Sequence, residues 1–157
     1  LRRQRQMCIR DRLYKGRISY LLGENKDAIS YLEKAKEHKQ MLASYYLGLA
    51  YDANGDSDKA KKCIAEYIKS GVATSYDLYE LGMQEMQDGN YKNALTYFNS
   101  GLELEKVPNK QNLMKSAIAA YEYSGDFDSA KKMMKEYLKA YPDDEEAKHE
   151  NTFLETR

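Results

Sequence analysis

The chain has 157 residues, a length typical of one domain, and 42% of them are hydrophobic and 32% charged. This mixture is too apolar for a disordered chain and too charged for a membrane protein. The longest uncharged runs, such as Gln40–Tyr51, are shorter than the ~18 apolar residues of a membrane span. Only two prolines occur, which favours helix throughout. Cys8 and Cys63 form no CxxC pair, so neither a disulfide framework nor a zinc site is predicted.

The first twelve residues, Leu1–Arg12, differ in composition from the rest of the chain. They hold five of the seven arginines, whereas the remainder uses lysine almost exclusively. The run Met7–Asp11 can be encoded by a sequence that resembles the transposon-end adapter of sequencing libraries. We therefore expect Leu1–Arg12 to be a non-native segment fused to a truncated reading frame. The alternative is a basic arm that binds nucleic acid or membrane lipid.

Charge without this segment argues against a nucleic-acid partner. The remainder has 20 basic and 24 acidic residues, a net charge of −4, and affinity for phosphate rests on basic residues. We expect no nucleic acid and no direct membrane insertion. If the native N-terminus is missing, the compartment stays open, and both a cytoplasmic protein and an extracytoplasmic lipoprotein fit.

Four turns recur along the chain, and each has a glycine followed five residues later by an alanine. The glycines are 32, 34 and 36 residues apart, at Gly23, Gly55, Gly89 and Gly125. Each glycine predicts the end of a helix in the left-handed conformation, and the Asp or Asn after it predicts an N-cap. The alanine predicts a close crossing of two helices. Three turns have a second glycine upstream, at Gly16, Gly48 and Gly82, and a large apolar residue follows each alanine, at Leu32, Ile64, Phe98 and Met134.

This pattern resembles the tetratricopeptide repeat, as found in bacterial members of the family, over Leu13–Asp144. The resemblance implies an all-α solenoid of about four helix–turn–helix repeats, near residues 13–40, 41–74, 75–108 and 111–144, with a capping helix at 145–155. The fourth repeat departs from the pattern, because Ile118 replaces the upstream glycine. We predict first helices near Leu13–Leu22, Met41–Ala53, Ser75–Gln87 and Lys110–Tyr123, and second helices near Lys26–Glu37, Asp58–Lys69, Tyr91–Leu104 and Phe127–Ala140.

Several side chains could bind a metal or act in catalysis, but a structural or surface position is the favoured interpretation for each. The alternating carboxylates of Asp52–Asp58 resemble the start of a calcium loop, but Ser57 and Cys63 occupy the positions of its glycine and glutamate. A helix–turn–helix corner is therefore preferred. His38 and His149 have no ligand motif around them, and Cys63 is favoured as a buried side chain over a reactive thiol. No metal, cofactor or catalytic residue is predicted, and we expect no enzyme activity.

The resemblance also implies a concave groove lined by the first helix of each repeat. In chaperone-binding members, paired groove positions carry a Lys and Asn clamp for carboxylates, but here they hold tyrosine, isoleucine, leucine or methionine. In the fourth repeat the groove positions are Asn112, Lys115, Ala119, Glu122 and Tyr123.

The groove composition predicts a protein–protein interaction scaffold. We expect a protein or peptide partner to bind an apolar and aromatic strip formed by Tyr45, Leu49, Tyr76, Tyr79, Met83, Met86 and Tyr123. The alternative is a structural solenoid segment, or a self-association module, of a larger protein. A monomer is favoured over self-association.

Overall fold

The computed structural model describes residues 2–157, which form nine helices and no strand. The helices are α1 (Arg2–Leu21), α2 (Asn25–Glu37), α3 (Met41–Ala53), α4 (Ser57–Lys69), α5 (Ser75–Gln87), α6 (Tyr91–Leu102), α7 (Lys110–Tyr123), α8 (Phe127–Ala140) and α9 (Glu145–Glu155). The chain divides into two compact units, Leu1–Ala73 and Thr74–Arg157. None of the described helices is both long and apolar enough to cross a membrane.

The helix map predicted from the sequence is confirmed at most boundaries, and α3, α5, α7 and α8 have the predicted bounds. The largest difference lies at α1, which begins at Arg2 and not near Leu13. Residues 2–12 contain no glycine or proline and are rich in arginine and glutamine, which are strong helix formers. Helix therefore continues through the segment predicted to be non-native. Whether that segment is non-native stays a prediction, and Leu1 lies outside the described residues.

The four recurrent turns are built as predicted around a left-handed glycine. Their φ angles are 78°, 86°, 75° and 79° at Gly23, Gly55, Gly89 and Gly125. A Cβ atom there would meet nothing within 4 Å, so the backbone conformation, and not space, requires glycine. The following residue caps the next helix by its side chain only at Asp126, which accepts from the Ser129 amide at 3.1 Å.

The predicted side-chain caps at Asp56 and Asn90 are wrong. The Asp56 carboxylate instead accepts a hydrogen bond from the side-chain amide of Asn54 at 3.3 Å. A capping box missed in the sequence begins α5, where Thr74 and Asp77 bond reciprocally.

The crossing of the two helices in each repeat, which we call the seam, is confirmed. A Cβ atom on Gly16 would lie 2.5 Å from Leu32, one on Gly48 2.6 Å from Ile64, and one on Gly82 2.3 Å from Phe98. The alanines at the four crossings are buried: Ala28, Ala60, Ala94 and Ala130. In the fourth repeat, Ile118 and Met134 fill the same place, and both are buried in one cluster. The seam is therefore a close fit between a small and a large residue in three repeats, and between two large residues in the fourth.

Each unit packs its helices in chain order. In the first unit α2 packs on α1 and α3, and α4 packs on α3, around a core that includes Leu32 and Leu47. In the second unit the helices pack in the order α5 to α9, and α5 also contacts α7. Asn109 reinforces that contact, because its side-chain amide donates to the carbonyl of Ser75 at 3.2 Å in a buried position. The first helices of successive repeats therefore lie side by side within each unit.

Candidate functional site

The predicted strip falls into the two units, and the first unit holds Tyr45 and Leu49 on α3. Tyr45 is only 8% exposed, and its ring centroid lies 5.2 Å from that of Tyr46 and 5.2 Å from that of Tyr67. Leu49 is half-buried. Tyr45 thus contributes to packing inside its unit and leaves only a small edge for a partner.

The second unit carries a row of four strip residues along one face of α5. Tyr76 is 55% exposed, and Tyr79, Met83 and Met86 are half-buried. These three pack from outside onto the core cluster that contains Phe98, so each keeps part of its side chain accessible. Spacings of three and four residues place the row on one side of the helix.

The last strip residue, Tyr123, ends α7 and is 68% exposed. Its ring is stacked on Tyr91 at the start of α6, with centroids 5.4 Å apart and planes 18° apart. Met83 of the α5 row contacts the same helix, because the Ser116 hydroxyl donates to its sulfur at 3.6 Å. The second unit therefore carries an exposed tyrosine on each of α5 and α7, and Met83 contacts α7.

A groove of about 380 Å³, called here the α7–α9 groove, opens beside Tyr123. Helices α7 and α9 form its walls and α8 its floor, and its lining consists of Lys115, Ile118, Ala119, Glu122, Tyr123, Met134, Tyr137, Glu146, Ala147 and Glu150. The resemblance gave four of the α7 residues as groove positions, namely Lys115, Ala119, Glu122 and Tyr123. It gave none of the lining residues of α8 and α9.

One end of the α7–α9 groove is closed by a bonded polar network. The Lys115 ammonium lies 2.8 Å from Asp144 and 3.4 Å from Glu146. The Tyr137 hydroxyl donates to Asp144 at 2.5 Å and accepts from Gln111 at 2.9 Å. The hydrogen bond from Lys115, followed by those from Tyr137 and the Ala147 amide, holds the pKa of Asp144 well below its usual range.

The other end of the groove holds two carboxylates, Glu122 of α7 and Glu150 of α9. Within the part of the chain that the structure describes, the Glu122 Oε1 atom is buried and has no hydrogen-bond partner. Burial first, the charge of the neighbouring Glu150 carboxylate second, and a side-chain hydrogen bond between the two carboxyl groups third raise the pKa of Glu122. One end of the groove therefore holds a carboxylate whose pKa is lowered by its bonded partners, and the other end holds a carboxyl group whose pKa is raised.

The sequence predicted the capping helix but did not identify Glu150 as part of a site. Glu150 is half-buried and faces Glu122 across the groove. The sequence did indicate which face of α9 packs inward, because Glu146 and Glu150 lie one turn apart on the side of Ala147, and Ala147 is buried. That signal identifies one face of α9 but not the helix opposite.

The remaining candidate side chains lie in a corner between helices, in the core or on the surface. Residues 52–58 form the corner between α3 and α4, as preferred. Cys63 is buried, and burial raises the pKa of its thiol although the Lys36 ammonium lies 3.9 Å from the sulfur. A thiol with a raised pKa is a poor nucleophile at neutral pH. His38 and His149 are exposed.

Comparison with known proteins gives one matching family model and several solved structures of similar fold. The tetratricopeptide-repeat model matches residues 42–70 and 111–144. A structure of PilF of Pseudomonas aeruginosa is similar over 96% of this chain and 69% of its own, with a TM-score of 0.66 and 14% identity. YrrB, described as a TPR protein with an unusual peptide-binding site, is similar over 88% of this chain and 72% of its own, with a TM-score of 0.58 and 19% identity. No curated protein sequence matches.

Proposed function

Because the chain is a tetratricopeptide-repeat protein with the solenoid fold of that family, we propose that it binds a peptide or helix of a partner protein in an apolar, aromatic strip. Repeats of this kind generally form scaffolds without enzymatic activity. The observation that carries the proposal is the α5 row, which begins with an exposed tyrosine and continues through three half-buried side chains.

The chemistry of the row suits a peptide ligand. Tyrosine gives a large contact area with few rotatable bonds to immobilise, and its hydroxyl bonds to peptide groups. Methionine adapts its shape to irregular apolar surfaces. Because Tyr79, Met83 and Met86 rest on a packed core, a partner would meet side chains that are already held in place.

The residues of the predicted strip differ in the unit to which they belong and in their exposure. Tyr76, Tyr79, Met83, Met86 and Tyr123 belong to the second unit, and four of them share α5. Tyr45 and Leu49 belong to the first unit, where Tyr45 is mostly buried. We therefore propose the second-unit residues as the contacts of the bound peptide.

A display library of helical and extended peptides, screened against the whole chain, tests the proposal. We expect binders whose affinity falls about tenfold or more in Tyr76→Ala and Met83→Ala, since buried anchor residues dominate peptide affinity. Tyr31→Ala is the matched control, because Tyr31 is an exposed tyrosine on α2, outside the strip. Binders that lose affinity in the control alone, or in none of the three variants, would refute the strip.

Light scattering at increasing protein concentration tests the structural alternative. A monomer that binds library peptides supports the scaffold. Concentration-dependent oligomers that are abolished by Tyr76→Ala, with no peptide binder, would instead assign the row to self-association.

A further inference from the structure

We propose that the α7–α9 groove receives a basic side chain of the bound peptide, lysine or arginine, and places its cation against the carboxylates of Glu122 and Glu150. The proposal extends the proposed function, because it assumes a peptide partner and adds the kind of residue that the partner must carry. The groove borders Tyr123, so a peptide on the strip would pass its opening.

Charge complementarity is the first support. Of the four charged side chains that line the groove, three are glutamates and one is Lys115. Lys115 is engaged with Asp144 and Glu146, and seven residues along a helix separate it from Glu122 by about 10 Å. Among the residues that the structure describes, no ion pair includes Glu122 or Glu150. Without a cation, the two carboxyl groups hydrogen-bond to each other, which requires a proton on one of them. A basic side chain of a partner would take the place of that proton.

The second support is the buried Glu122 oxygen. A buried carboxylate oxygen without a hydrogen-bond donor is unfavourable, and a like charge beside it makes the ionised form still less favourable. An ammonium group offers three donors and a guanidinium group five. Either would supply the missing hydrogen bond and opposite charge together, and charge-assisted hydrogen bonds are the strong ones.

The shape of the groove is the third support. The surface between the polar ends is apolar, since it is formed by Ile118, Ala119, Met134 and Ala147. Lysine and arginine side chains lay their methylene groups along such surfaces while the charged group reaches a polar partner. Tyr123, beside the carboxylates, adds an aromatic face that attracts cations.

Nuclear magnetic resonance titration of the full chain with N-acetyl-arginine amide and N-acetyl-lysine amide provides the direct test. N-acetyl-citrulline amide is the matched probe, since citrulline has nearly the shape of arginine without its charge. We expect the two cationic probes to shift the signals of Glu122, Glu150, Ala119 and Ala147, and the citrulline probe to leave them unchanged. Equal shifts with citrulline, or shifts elsewhere only, would overturn the proposal.

The double variant Glu122→Gln/Glu150→Gln removes both charges and keeps the shape. It should weaken binding of the arginine probe at least about tenfold, given the strength of hydrogen bonds between charged groups. The control Glu136→Gln/Glu155→Gln changes net charge equally at exposed positions on α8 and α9 and should bind as the original chain does. Because neutralising Glu122 removes a buried charge, the binding-deficient variant should melt no lower than the original, which separates lost binding from unfolding.

Calcium and magnesium chloride serve as competing probes. If millimolar calcium produces the same shifts while the arginine probe produces none, the pair binds a divalent metal and the proposal fails. If library peptides depend on Tyr76 and Met83 but not on any lysine or arginine of their own, the groove proposal fails while the proposed function stands. Cationic probes that bind in the groove without any strip-dependent peptide would support the groove and refute the strip.

Discussion

The seam within the third repeat and the α7–α9 groove are both contacts between helices of the same unit, yet they are built on opposite principles. In the seam, Gly82 and Phe98 leave no space, and Phe98 is completely buried. In the groove, α7 and α9 leave about 380 Å³ open and a carboxylate oxygen buried without a partner.

The contrast teaches where stability and binding reside in this chain. Close apolar packing contributes most of the stability of a small domain, and any loss of volume is unfavourable. A groove with an uncompensated charge is locally unfavourable, and a ligand that supplies the opposite charge reverses this. Substitutions in the two regions should therefore have effects of opposite sign.

The largest effect is expected for removal of the large partner in the seam. Phe98→Ala should lower the free energy of unfolding by ~3–5 kcal/mol, because it leaves a cavity where a ring was completely buried. Denaturant unfolding followed by circular dichroism measures it. Phe153→Ala is the control, since Phe153 is 45% exposed. An equal loss in both variants would contradict the register of the seam.

The next effect concerns the small partner and depends on the large one. Gly82→Ala alone should destabilise by ~1–3 kcal/mol, because its Cβ atom would lie 2.3 Å from the Phe98 ring. In the Phe98→Ala background the same substitution should stabilise by about 1 kcal/mol, because alanine is a better helix former than glycine. A double-mutant cycle measures this change of sign. Additive effects would mean that the two residues do not share one space.

A smaller effect of opposite sign is expected in the groove. Folding raises the pKa of Glu122, so the folded chain holds the proton of this carboxyl group more tightly than the unfolded chain does. The stability that this proton contributes is fully present below the unfolded pKa of a glutamate and is lost as the pH rises through the folded pKa. Glu122→Gln should therefore stabilise at pH 7 by less than about 1 kcal/mol, given solvent screening, and have no effect near pH 3. Thermal melts at both pH values measure it. Lys115, Tyr123, Tyr137, Glu146 and Glu150 are the other titratable groups of the groove.

Thermal melts of Glu136→Gln provide the control for this prediction. Its carboxylate is exposed on α8, so its removal should change stability little at either pH. A destabilised Glu122→Gln at pH 7 would show that the Glu122 charge is compensated within the chain.

The smallest effects are expected outside both regions. Lys62→Ala, at an exposed position of α4, should stay within about 0.5 kcal/mol. Deletion of Leu1–Arg12 should also leave the melting temperature nearly unchanged, because most described side chains of residues 4–12 are exposed, and Ile9 and Arg12 are only half-buried. A drop of many degrees on deletion would refute the expectation that this segment is non-native.

Local and periodic features could be predicted from the sequence, because their physical causes lie within a few residues. Gly55 marks a turn through its own φ angle, and Gly48 with Ile64 marks the seam through a spacing repeated along the chain. The N-cap at Asp56 was wrong because any Asp after a turn fits the pattern, whereas the bond depends on a side-chain rotamer.

The candidate site was harder to predict, because burial depends on neighbouring helices. The tyrosines on α3 and α5 look alike in sequence, yet Tyr45 is mostly buried and Tyr76 mostly exposed. The Glu122–Glu150 pair joins two helices whose facing residues no local pattern identifies. Its recognition required the arrangement of α9 against α8.

The two versions of the seam also restrict how such a repeat can change by single substitutions. The third repeat pairs Gly82 with Phe98, and the fourth pairs Ile118 with Met134. A direct change of Gly82 to isoleucine would collide with the Phe98 ring, whereas a first change of Phe98 to the more flexible methionine would open room for it. The order of substitutions therefore decides whether the intermediate folds. This epistasis follows from one distance, the 2.3 Å between a Cβ atom at position 82 and the ring of Phe98.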